Sequence, residues 1–261
     1  MANKKENRIG EIKYNNYGQK MTIISYLDAH NVTVKFDNGY IIECQYGKFK
    51  RGSVKSPYDK SVYEVGYIGE GKYKAKDNLG KQTIQYSYWS HMMTRCYNKK
   101  YLKTRPTYEE CEVCEEWHNF QNFAKWFDDN YYEIDGERMK LDKDILYKGN
   151  KVYSPENCVF VPNRINTLFV KRQNHRGEYP IGVSYYKKGK LKFMSQCYTF
   201  DRKQNKSIHR NLGYFETPKE AFNSYKTFKE AYIKQVADEY KDKIPKKLYD
   251  AMYKYEVEIT D

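Results

Sequence analysis

One segment, Leu141 to Asn166, constrains this chain more than any other: LDKDILYKGNKVYSPENCVFVPNRIN. It holds two short apolar runs separated by the turn residues Gly149-Asn150 and Ser154-Pro155. Short apolar runs bounded by glycine and proline read as strands. Pro162 comes next, then Ile165, Leu168 and Phe169 at helical spacing, and proline at the head of such a run marks a helix start. The expectation is a ββα unit: a strand over KLDKDIL, a loop, a strand over NCVFV, and a helix from Pro162. Such a unit brings the end of its first strand and the first turns of its helix together across a narrow gap. Asp142 offers a carboxylate there and Asn166 an amide oxygen, hard donors of the kind Mg2+ or Mn2+ prefer. A divalent ion held so would polarise a phosphodiester and stabilise its leaving oxygen. Asn157 opens the second strand, where its amide could brace the loop after the first.

The chain has 261 residues, enough for two domains or three small ones. Three blocks suggest themselves. Residues 1–60 alternate apolar and polar positions in MTIISYL and VTVKFDNGYIIECQY, with Asn38-Gly39 as a hairpin turn, and read as a small, curved antiparallel β-module. Residues 61–172 begin with a glycine-punctuated stretch, Tyr63 to Gly80, that reads as another hairpin. The period then changes: Ile84, Tyr88, Met92 and Cys96 recur every four residues, widened by Trp89 and Met93 into an amphipathic helix. Trp117, Phe120, Phe123, Ala124 and Phe127 mark a second helix, and the ββα unit closes the block. Residues 173–261 read as three short strands with basic turns and a long helix. Thr217 is its N-cap, Pro218 its first residue and Glu220 the partner in a capping box. The class is therefore α+β, with an N-terminal antiparallel β-module, a central helical region carrying the ββα unit, and a C-terminal three-stranded sheet plus helix.

Composition narrows the partners. Hydrophobic residues make up 39% of the chain and much of that is aromatic, with 29 Tyr and 12 Phe, so cores here are built of rings. The net charge of +13 favours polyanions and predicts salt-sensitive binding to nucleic acid, although a lysine-rich solubilising surface has the same charge. No apolar run approaches the roughly 20 residues of a membrane span, which argues against a membrane partner. MANKKENRIG has no apolar segment behind its charges, so a secretory signal is not expected. The six cysteines lack a disulfide-dense pattern, which fits a reducing cytoplasm.

The segment resembles the HNH (His-Me finger) motif of phage homing endonucleases. The resemblance rests on Asp142-Lys143, Gly149-Asn150-Lys151, Asn157 and Asn166, with the nine-residue gap between the two asparagines. It implies a metal-dependent DNA endonuclease that nicks or cuts double-stranded DNA. Asp142 and Asn166 would hold the divalent ion, and Asn157 would orient the catalytic residue. One position departs. The family has a water-activating histidine where this chain has Lys143, and lysine, with an ordinary pKa near about 10.4, is protonated at neutrality. Asp144 and His175 are the substitutes within reach in sequence. The alternative is an inactive HNH-like protein that binds DNA, or a host or defence protein, without cleavage.

Cys111 and Cys114 form a CxxC pair, with His118 four residues on and Cys96 fifteen upstream. A structural Zn2+ needs four such ligands, so it would have to recruit Cys96, His118 or Cys158; two buried thiols are the simpler outcome. The segment from Ile181 resembles the APETALA/ERF-type DNA-binding domain through Gly182-Val183, the basic turn Lys187 to Lys190, Leu212-Gly213-x-Phe215 and the helix TPKEAFNSY. That resemblance implies a sheet face in the DNA major groove. The corresponding contacts are Tyr185, Lys187, Lys188, Lys190, Lys192, Arg202 and Arg210.

Overall fold

The computed structural model describes residues 8–170, 178–201 and 206–261. The chain forms two compact units, one of residues 1–130 and 151–155, the other of 131–150 and 156–261. The division at 130/131 falls inside the block 61–172, and one unit contains both the strands of the ββα segment and the C-terminal sheet.

The first unit opens with a four-stranded antiparallel meander, β1 (Ile12–Tyr14), β2 (Lys20–Tyr26), β3 (Val32–Phe36) and β4 (Ile41–Cys44). Alternation decides which face is covered. Met21, Ile23, Val32, Val34 and Phe36 point inward onto Phe49 of the short helix α1 (Tyr46–Lys50). Asn38-Gly39 makes the β3–β4 turn, with Gly39 at φ +91°, a left-handed value that glycine adopts without steric cost. Asn15 ties the meander to the loop after α1, donating to Asp59 Oδ1 at 2.7 Å.

No hairpin forms over Tyr63 to Gly80; the bridges there are isolated ones, Val62 with Gly66, Tyr67 with Asn119 and Lys76 with Gln82. The backbone is satisfied by side chains instead. Gln121 donates to the carbonyls of Ile68 and Tyr73 and accepts from Tyr73 N–H. A Cβ on Gly69 would lie 2.1 Å from the Asn119 side chain, and one on Gly71 2.3 Å from Gln121. These glycines therefore mark close approach to side chains rather than strand turns.

Helix α2 (Ile84–Tyr97) buries Trp89, Met92, Met93 and Cys96, while Ile84, at its start, is exposed. The short helix α3 (Lys99–Thr104), capped by Asn98, comes next, and then β5 (Glu112–Val113) and a 3-10 turn over Glu115–His118. Helix α4 (Phe120–Asn130) buries Phe120, Phe123, Ala124 and Phe127 beside Trp117. Trp89 donates its indole N–H to the Trp117 carbonyl at 2.7 Å, so α2 and the 3-10 turn share an aromatic core.

The chain then enters the second unit to form β6 (Met139–Asp142), returns for β7 (Val152–Tyr153), which pairs in parallel with β5, and re-enters the second unit with β8 (Val159–Pro162) and α5 (Asn163–Leu168). β6 and β8 are antiparallel, with Asp142 opposite Val159. The ββα expectation holds in part: β6 and β8 pair and α5 follows, but β6 stops at Asp142 instead of running to Leu146, β7 forms inside the expected loop and pairs with β5, and Pro162 is the N-cap of α5 rather than its first residue. β9 (Val183–Tyr185), β10 (Phe193–Asp201) and β11 (Lys206–Phe215) form an antiparallel sheet in the order β11-β10-β9. Helix α6 (Pro218–Tyr240) starts with the expected capping box and serves two cores. Its first turns place Phe222 and Tyr225 on Cys197 of the sheet. Its last turns place Ile233, Val236 and Tyr240 on Val159, Val161 and Ile165 of the ββα segment, together with Leu248 and Met252 of α7 (Lys246–Tyr253). Among the described residues, no helix is long and apolar enough to cross a membrane.

Candidate nuclease-like site and nucleic-acid interface

Asp142 ends β6, and the backbone turns at once because its side chain holds it: Oδ1 accepts from Asp144 N–H at 3.0 Å and from Ile145 N–H at 2.8 Å. Burial pushes the Asp142 carboxyl up to about 6, and the neighbouring Asp144 carboxylate adds to the rise; the two backbone N–H groups oppose it. Asn166 lies in α5, which packs on β6 and β8. Asp142 and Asp144 are close enough for their carboxylates to interact, and the three side chains expected here, Asp142, Asp144 and Asn166, all offer oxygen. That suits Mg2+ or Mn2+, and a divalent charge would relieve the repulsion between the two carboxylates.

Lys143 is the informative departure. Its side chain is 10% exposed. The ammonium donates to the Asn150 carbonyl at 2.8 Å and reaches Asp144 Oδ2 at 3.3 Å. Asn150 answers by donating its amide to the Lys143 carbonyl at 2.7 Å, and Asn157 donates to Asn150 Oδ1 at 3.1 Å. Asn157 therefore braces the loop through Asn150, a residue that reads in sequence only as part of a turn. An ammonium held by a carbonyl and a carboxylate has no lone pair to offer a water, so Lys143 acts as a clamp across the loop. Of the alternative bases, Asp144 shares this clamp and His175 lies outside the described residues.

The raised Asp142 pKa has a measurable sign. Its ordinary value is 3.8, so folding favours the protonated acid. Asp142 therefore costs stability above about pH 6, and that cost disappears as pH falls toward 4. Asp142→Asn keeps the acceptor oxygen and removes the charge. It is expected to raise stability by about 1–2 kcal/mol at pH 8 and to leave it unchanged at pH 4. Thermal melts at the two pH values check this; an Asn variant less stable at pH 8 contradicts the burial assigned to the carboxylate.

Cys96, Cys111, Cys114 and His118 do not assemble into a ligand set. Among the described residues no three His, Cys, Asp or Glu side chains gather to hold a metal. His118 Nε2 instead lies 3.0 Å from the Val113 carbonyl.

The C-terminal sheet sorts its residues by register. Paired residues on antiparallel strands share a face. Arg210 pairs with the buried Cys197, so it sits on the face toward α6, where its Nε donates to Thr199 Oγ1 at 3.2 Å. Tyr185 shares Val183's side, stacks with Tyr179 and meets Phe193 edge to face. Lys187, Lys188, Lys190 and Lys192 are at the β9–β10 turn, all exposed, with the Lys192 ammonium on the Gly189 carbonyl at 2.8 Å, and Arg202 lies outside the described residues. The open face carries a different set: Gln196 and Tyr198 from β10, His209 and Asn211 from β11, and the Tyr186–Tyr214 ring pair, while the Phe200 ring at the end of β10 lies against Arg164 of α5. Tyr198 is 61% exposed. His209 Nε2 lies 2.6 Å from Gln196 Oε1, and Asn211 donates to the Tyr214 hydroxyl at 2.9 Å. Searching for basic residues misses this face. The signal for it was the alternation of Gln196 and Tyr198 with the buried Ser195 and Cys197.

No family model matches the sequence, and neither a curated protein nor a solved structure does.

Proposed function

We propose that this chain is a double-stranded-DNA-binding protein that carries a nuclease-type ββα unit with its base position closed by Lys143. The observation that supports it best is the open face of the C-terminal sheet. Amide, imidazole and phenol groups sit there, beside a turn bearing four lysines. Amides read base edges in the major groove, and lysines hold phosphates without reading sequence. The chain's net charge of +13 supplies the attraction.

A second reading, a metal-dependent DNA endonuclease, is favoured by Asp142 and Asp144, a carboxylate pair at the end of a strand on which the Asn166 helix packs and which a divalent ion would neutralise. Mg2+ or Mn2+ bound there would act as a Lewis acid on the scissile phosphate. The chain's own contribution would be to hold Asp142 by its two backbone N–H groups and to fix the loop through the Lys143–Asn150–Asn157 chain.

Gel retardation of a duplex at several salt concentrations tests the binding reading. Changing Lys187, Lys188, Lys190 and Lys192 to Ala is expected to weaken binding alike on all sequences and to lower the salt slope by about 1 for each phosphate no longer held. Gln196→Ala is expected to weaken binding on the preferred sequence alone. Absence of any salt-dependent retardation by the wild-type chain would sink the proposal and leave a protein-interaction role.

A further inference from the structure

Arg95 has a guanidinium with five N–H donors. Among the described residues it makes one hydrogen bond, to the Tyr153 hydroxyl at 3.4 Å, and lies over the Tyr108 ring, whose centroid is 5.8 Å away. Among the described residues no carboxylate stands within ion-pair range of it. A partly buried arginine is ordinarily paired, because an unpaired charge removed from water is costly. The surroundings explain what is missing. Residues 78–108 contain no Asp or Glu, and Arg95 is followed by Lys99, Lys100, Lys103 and Arg105. Those four are exposed, on or just after α3, which packs on the α2 end that carries Arg95. Tyr101 and Tyr108 stand among them with rings 6.0 Å apart.

We infer that α3 and the end of α2 form a second DNA contact, in which Arg95, braced from behind by the buried Tyr153 hydroxyl, takes a backbone phosphate beside the Tyr108 ring and the flanking cations hold the neighbouring phosphates. The inference rests on the DNA-binding reading but on different residues in the other compact unit. An arginine fork matches a phosphate bidentately, and the anion supplies the counter-charge that the protein itself does not. Tyrosines interleaved with cations give the sugar-phosphate edge an apolar surface to lie on. The contact carries affinity without sequence preference, unlike the open face of the sheet.

Salt-dependent retardation of a duplex of about two helical turns, roughly 20 base pairs, tests the inference with two variants. Lys99, Lys100, Lys103 and Arg105 changed together to Ala alter only exposed side chains. This variant is expected to bind about tenfold or more weakly, with the salt slope reduced by about 3. Arg95→Met is expected to bind about tenfold more weakly while melting at the wild-type temperature or above, because it removes an uncompensated charge. An arginine with a purely structural role would lower the melting temperature instead. The four-lysine variant of the β9–β10 turn serves as comparator. If it loses retardation while both new variants keep wild-type affinity and slope, the second contact is wrong and the DNA-binding reading stands. If the wild-type chain retards no duplex, or only single-stranded RNA, both fall.

Discussion

Gly182→Ala is expected to destabilise the second unit by about 3 kcal/mol and to remove with it the duplex binding proposed for its sheet. Two costs add at this position. Gly182 has φ +77°, where an L side chain is strained, and a Cβ built on it would lie 2.1 Å from the Tyr225 ring. Tyr225 cannot step aside: it is buried on α6 with Phe222 against Cys197 and Val257. The carbonyl of Gly182 also accepts from Gln196 N–H at 2.8 Å, so a shift of the glycine would pull at the base of the open face. Gly149 is the control. It has φ +83° and nothing within 4 Å of its would-be Cβ. Gly149→Ala should therefore show the conformational cost alone, about 1 kcal/mol. Melting temperatures of the two variants separate strain from collision. If Gly182→Ala melts with Gly149→Ala and still retards duplex, the sheet does not rest on Tyr225.

The elements that sequence made legible are those whose signal is local. The capping box at Thr217 and Glu220, the turn at Asn38-Gly39 and the aromatic stripe of α4 each lie within a few residues. The ββα segment was legible only in part: its turns and helix start are local, but β6 ends at Asp142 and β7 pairs with β5 from about 40 residues upstream. Illegible features depend on partners far along the chain. Gly69 and Gly71 look like turn glycines until Asn119 and Gln121 arrive from about 50 residues on, and the backbone between 63 and 80 then bonds to side chains rather than to a second strand. The double duty of α6 is equally hidden, since its apolar stripe does not say which residues it will cover. For the site, residue types pointed to Asp142, Asn157 and Asn166, but the clamp needed Asn150, whose turn role masked its side chain. For the interface, charge drew attention to Arg210, while register puts it toward α6 and leaves uncharged Gln196, His209 and Asn211 on the open side.

Lys143→His is expected to turn an inert ββα unit into a nicking one. Wild-type protein should leave supercoiled plasmid intact in Mg2+ or Mn2+, because the ammonium of Lys143 is bound to the Asn150 carbonyl and Asp144 and cannot accept a proton. An imidazole at this position is shorter and mostly neutral above about pH 7, with an ordinary pKa near about 6.5. Such a base contributes roughly 100-fold to 10,000-fold when it is positioned on the attacking water. Even the lower figure separates a nicked band from none. The exchange also removes the clamp, at a cost of about 1–2 kcal/mol, so a modest fall in melting temperature accompanies the gain. Three features identify the activity as the site's own. It should vanish on adding Asp142→Ala or Asn166→Ala to Lys143→His. It should follow the free imidazole, rising between about pH 6 and 8. It should require the divalent ion, since Asp142 and Asn166 supply only oxygen donors. Two results overturn the expectation. Cleavage by the wild-type chain that Asp142→Ala abolishes makes it an endonuclease with another base, Asp144 being the nearest. A Lys143→His protein that folds, binds duplex and nicks nothing means the ββα unit shares a shape with nucleases and not their chemistry.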